Sequence, residues 1–169
     1  MLSNVIFLNS MRFVLLVLAQ VLIFNHLNFF GTINPFVYVL FFYWYPIKDN
    51  NAVLLLIAFA LGITIDVFSD SMALHTLTCV TLAYFRPFIM RFCFGVNFDF
   101  QNFTFKNATT IQRLTFLLLL ILMQNLVFFT FEILSFSHIV LILKKILFTT
   151  LTTFLICSLL SVLFAKNQV

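Results

Sequence analysis

Five long runs of apolar residues and one short one, separated by brief polar breaks, make up almost the whole chain. A membrane-crossing helix needs about 20 apolar residues, and runs this unbroken fit helices and not a barrel of alternating strands. The pattern predicts helices over 13–30, ending at Gly31, and over 36–47, 52–68, 73–94, 114–131 and 139–164. The second is the aromatic run from Phe36 to Ile47, punctuated by Pro35 and Pro46. It is too short to cross vertically unaided and needs flanking residues, a thinned bilayer or a partly re-entrant path. In the fourth, Arg86-Pro87 favours a break near Phe85, because the residue before proline is pushed out of the helical region; Pro87 to Phe94 then forms a short interfacial helix.

Composition turns this pattern into a fold class. With 63% hydrophobic and 8% charged residues, a net charge of +4 and a mean hydropathy of +1.16, the chain has too few charges to cover a water-soluble body, since globular chains carry roughly 25%. The expected fold is all-α: one polytopic transmembrane domain over 1–169, a bundle of about six helices. The basic residues stand singly and form no stripe for nucleic acid. Six spans with both termini in the cytoplasm place Arg12, Lys48, Arg86, Arg91, Lys106, Arg113 and Lys166 inside, against Lys144 and Lys145 outside, as the positive-inside rule requires. Phe13 to Phe24 has the length of a signal-peptide core. Asn25-His26-Leu27-Asn28 after it is no small-x-small cleavage site, so the segment is expected to be a retained span.

Polar residues then narrow the chemistry. The loop 95–113 contains a phenylalanine alternation from Phe98 to Phe105, compatible with a small hairpin or with an interfacial loop. Thr109 or Thr110 supplies an N-cap for the fifth helix. Cys79, Cys93 and Cys157 lack metal or disulfide spacing and read as small core hydrophobes. The richest polar set lies in Gly62 to His75, where Asp66 and Asp70 would repel at i, i+4 on one continuous helix. The helix is therefore expected to end between them, with Asp70 or Ser71 as N-cap of the next helix. Asp66 is expected to cap a turn or to pair with His75. Glu132, His138, Lys144 and Lys145 fall on the same outer side, so one lysine is expected to pair with Glu132 or Asp66 and the other to snorkel outward. Arg86 and Arg91 read as cytoplasmic membrane anchors. The chain has three glycines and no nucleophile elbow, zinc-helix or phosphate-loop motif, so neither an enzyme nor a cofactor is expected.

The stretch Gly62-Ile-Thr-Ile-Asp66-Val-Phe-Ser-Asp70-Ser-Met-Ala-Leu-His75, followed by Ala83-Tyr84-Phe85-Arg86-Pro87, resembles the hallmark region of the rod-shape-determining MreD family. The segments Gln20 to His26 and Asn34-Pro35-Phe-Val-Tyr38 are similar to its Bacteroidetes-like members, so the resemblance runs from about Gln20 to Pro87. Ala73 stands where that family usually has glycine, which is expected to relax close backbone packing at the start of the fourth helix. The resemblance implies a bundle similar in fold to the S components of energy-coupling-factor transporters. It also implies a non-catalytic inner-membrane scaffold of the cell-elongation complex that organises lateral peptidoglycan synthesis and cell shape. Its partners would be an MreC-like bitopic protein, an MreB-like filament, a RodA-like transglycosylase and a transpeptidase. Asp66, Asp70, His75 and Glu132 would shape the outer corner near the partner. The rival reading is a small-molecule-binding transporter subunit with that corner as the mouth of a pocket.

Overall fold

The computed structural model describes residues 2–25, 34–46, 50–95, 108–132 and 139–165. All the secondary structure among them is helical: α1 (Leu2–Ala19), a π-helical turn at Gln20–Phe24 that prolongs it, α2 (Val39–Trp44), α3 (Asn51–Ser69), α4 (Leu74–Phe94), α5 (Thr110–Glu132) and α6 (Ile139–Ala165). Among the described residues, α1 with its π turn and α3 to α6 are long and apolar enough to cross a membrane. The chain is a polytopic helical bundle. α3 packs on α4, α4 on α5 and α5 on α6, each helix against the next in the chain. α5 is the most enclosed of the long helices, whereas much of α1, α3 and α6 faces outward, with Leu56, Val67 and Val162 largely exposed.

The second crossing is unlike the others. Asn25 at the end of α1 donates from Nδ2 to Ser69 Oγ at the end of α3, so both helices finish at one end of the bundle. α3 starts at the other end, and the chain must return between them. It does so over 34–46, of which only Val39–Trp44 is helical, and Phe36 to Phe42 are all at most 4% exposed. Non-helical backbone survives at membrane depth only where protein satisfies it, and here side chains from three helices do so. Gln20 accepts from Val37 N at 2.8 Å and donates to Pro35 O at 3.1 Å. Thr153 of α6 accepts from Phe36 N at 3.3 Å. At the far end, Arg86 of α4 donates to Phe42 O at 2.8 Å and to Tyr45 O at 2.5 Å, covering carbonyls that the end of a short helix leaves open. The expected second span is thus a buried strut inside the bundle. With it the first half of α1 and the last part of α6 fall at the same end of the bundle, where Leu8 and Leu160 line one groove, opposite the α3–α4 corner.

Several expected boundaries change. α1 begins eleven residues before Phe13, because Arg12 does not mark a membrane border: it sits within the helix, over the Trp44 ring at 5.6 Å and hydrogen-bonded to Trp44 O. α4 runs unbroken through Pro87, with no separate interfacial helix; packing on α3 and α5 holds it through the bond that proline removes. Thr109 is the cap of α5, accepting from Gln112 N while Gln112 Oε1 accepts from Thr109 N, a capping box. The hairpin expected within 98–105 and His138 lie outside the described residues.

Candidate functional site

The α3–α4 corner is assembled from one close approach and one carboxylate. A Cβ on Gly62 would lie 2.4 Å from Thr76 Cα and 2.9 Å from His75 O, so only glycine lets the first turn of α4 come this near α3. One turn further on, the Asp66 side chain meets that turn. Its Oδ1 accepts from Ser71 Oγ at 2.6 Å and from His75 N at 3.0 Å, and its Oδ2 from Thr76 N at 2.8 Å and Thr76 Oγ1 at 2.5 Å. His75 and Thr76 are the second and third residues of α4, the amides an N-cap side chain serves. The N-cap position itself is Ala73, which has no side-chain oxygen. Asp66 performs the capping from the preceding helix, with its charge at the positive end of the α4 dipole.

This corrects the expectation that Asp70 or Ser71 caps α4. α3 ends at Ser69, between Asp66 and Asp70 as anticipated; Asp70 follows as its C-cap in a left-handed conformation at φ 50°, and its side chain is exposed. Met72 and Ala73 are left-handed too, at φ 45° and 65°. Glycine at position 73 would therefore supply conformational freedom. The relaxed packing expected at the start of α4 is not found: the approach is close despite Ala73, because Gly62 of α3 makes the room.

His75 does not pair its ring with Asp66. The ring Nδ1 lies 2.8 Å from the Tyr38 hydroxyl, and Gln124 Nε2 donates to that same oxygen. Phe36 and Phe128 flank the ring, with centroids 5.5 Å and 4.8 Å away. Tyr38, His75 and Gln124 form a buried polar chain joining the strut, α4 and α5. Tyr38 and Thr76 carry this site without having been singled out for it. Gln124-Asn125 inside an otherwise apolar run is the signal that marks the inward face of α5.

Beside the chain, a cavity of about 360 Å³ opens at the corner end of the bundle, with Asn25, Asn34, Ser69, Ser71 and His75 on its polar side and Phe36, Phe68, Phe128 and Phe129 on its aromatic side. Asn34 Oδ1 is buried there without a hydrogen-bond partner. Glu132 and Lys145 also line the cavity and form an ion pair at 3.5 Å, with Lys145 stacked over Phe129. The expected pairing is thus made by Glu132 with Lys145, while Lys144 is exposed.

Arg86 is not a cytoplasmic anchor: it is 3% exposed and holds the end of α2, with its guanidinium over the Tyr45 ring. Strong hydrogen bonds to two carbonyls compensate for burying the charge. Arg91 lies exposed in the last turn of α4. Among the described residues no three His, Cys, Asp or Glu side chains gather as a metal site. Asp66 has both oxygens occupied by donors, so the corner is built as a brace with a cavity beside it. No protein-family model, characterised protein or solved structure matches this chain.

Proposed function

We propose that the protein is a non-catalytic scaffold of the bacterial inner membrane, of the MreD type, which binds an MreC-like single-span partner and holds it to the wall-elongation machinery. In this reading both chain ends are cytoplasmic, the basic residues lie mostly on their side, and the α3–α4 corner faces outward. The observation that carries the reading is what the residues of the resemblance do. Gly62 and Asp66 seat α4 on α3, His75 ties α4 to Tyr38, and Arg86 holds the strut. Side chains engaged in this way brace a shape and have little capacity left for acid–base work, while the apolar outer faces of α1, α3 and α6 offer surface for a partner helix. Helices associate in lipid through close fit and a few polar contacts.

The cavity favours a second reading, a small-molecule-binding subunit, since it combines aromatic walls, an unpartnered buried amide oxygen and an ion pair. A mild-detergent pull-down of the tagged protein from its native membrane, followed by mass spectrometry of proteins and small molecules, separates the two. Recovery of a bitopic partner with wall synthases supports the scaffold. A stoichiometric small molecule that is lost with Lys145→Gln, without those proteins, replaces it by the second reading.

A further inference from the structure

We propose that Arg12 and the groove beside it form a binding site for one anionic phospholipid, with the headgroup phosphate on the guanidinium and an acyl chain along the groove. α1 and α6 both reach the strut, through Gln20 and Thr153, and leave a gap beside it. The gap is an apolar groove of about 510 Å³, walled by Leu8, Leu15 and Leu16 of α1, Leu40 and Trp44 of the strut and Leu160 of α6. Arg12 stands at its side. The guanidinium has five N–H donors, and one of them, Nη1, makes a hydrogen bond, at 3.4 Å to Trp44 O.

Charge and position decide the occupant. Arg12 lies beside Trp44, at the end of the strut opposite the α3–α4 corner, and a long arginine side chain can extend along apolar surface toward the headgroups. A neutral chain or an apolar helix in the groove would leave the remaining donors facing hydrocarbon, which is costly. A phospholipid with a net negative charge meets both halves of the site, placing phosphate oxygens on a planar donor fork and methylenes against leucine. Arg86, by contrast, is fully engaged with backbone carbonyls. The lipid site is independent of the scaffold reading and stands or falls separately.

Trp44 is the only tryptophan in the chain and lines the groove, so the intact protein carries its own probe. The full-length protein is reconstituted into phosphatidylcholine vesicles containing increasing fractions of phosphatidylglycerol brominated on the acyl chains, or of equally brominated phosphatidylcholine, and Trp44 fluorescence is read. The expected result is a preference for brominated phosphatidylglycerol of about fivefold in apparent affinity, the size of one basic contact at an anionic membrane. That preference is lost in Arg12→Gln and kept in large part in Arg12→Lys. Equal quenching by the two lipids in the unaltered protein overturns the site without recourse to any variant. Preference that survives in a folded Arg12→Gln protein overturns the role of Arg12, and quenching by neither lipid shows the groove filled by protein and overturns the proposal altogether.

Discussion

Asp66 and Thr76 are joined twice, the carboxylate Oδ2 accepting from the Thr76 amide at 2.8 Å and from its hydroxyl at 2.5 Å. A residue near the end of one membrane helix thereby caps the next, across a corner with three left-handed non-glycine residues. Asp66→Asn keeps the size but replaces one acceptor oxygen by a donor that faces the Thr76 N–H. The expected cost is about 1–2 kcal/mol, the value of a lost cap with its dipole contribution, read as a lower unfolding midpoint of the purified protein in detergent. An unchanged midpoint would mean that Asp66 does not cap α4.

Gly62 and Ala73 make opposite predictions. Gly62→Ala drives a Cβ into Thr76 Cα, and overpacking of this kind costs about 1–3 kcal/mol. Ala73→Gly removes the penalty of an L-residue at φ 65°, roughly 1–2 kcal/mol before glycine's own chain entropy is subtracted, so it is expected to stabilise slightly. Thermal unfolding of the two variants beside the parent checks both signs.

Tyr38→Phe deletes a hydroxyl that serves His75 and Gln124 together. Two buried polar groups lose their partner, at about 1–3 kcal/mol each for a group left wholly unsatisfied. Combining it with Gln124→Leu, which removes one of those groups, is expected to cost less than the sum of the single changes. A double-mutant cycle on unfolding free energy measures that coupling, and strict additivity would contradict the chain.

The side chains of the Glu132–Lys145 ion pair are 35% and 33% exposed, so its worth is small, about 0–1 kcal/mol. Reversing either charge is expected to shift the midpoint slightly downward, and reversing both to restore it. A double reversal no better than the singles would show that the pair is not formed.

The helical membrane class and most helix positions were legible because lipid-spanning segments announce themselves by length and apolarity alone. Which face of each helix points inward was not. Leu56 and Leu61 of α3 are equally apolar, yet one is 72% exposed and the other fully buried, because lipid and protein interior are alike to a leucine side chain. The sparse polar residues mark the interior instead: Gln20, Thr78, Gln124, Asn125, Thr149 and Thr153 are all buried. The Asp66 corner was readable as a corner from charge repulsion. That Ala73 lacks a capping oxygen, and so hands the task back to Asp66, depends on which residue adopts the left-handed turn. Arg86 misled as an anchor because a lone arginine before proline looks like a membrane border. Its partners, Phe42 O and Tyr45 O, are more than forty positions away in sequence.

The most direct test concerns the buried strut. In a background with Cys79, Cys93 and Cys157 replaced, single cysteines at Asn25, which lines the cavity at the corner end, and at Asn50, which is exposed just before α3, are challenged with a membrane-impermeant thiol reagent in intact and in lysed cells. If 34–46 crosses the bundle, position 25 labels from one side of the membrane and position 50 from the other. Labelling of both positions from the same side would show that the chain does not cross between α1 and α3, and would contradict the architecture.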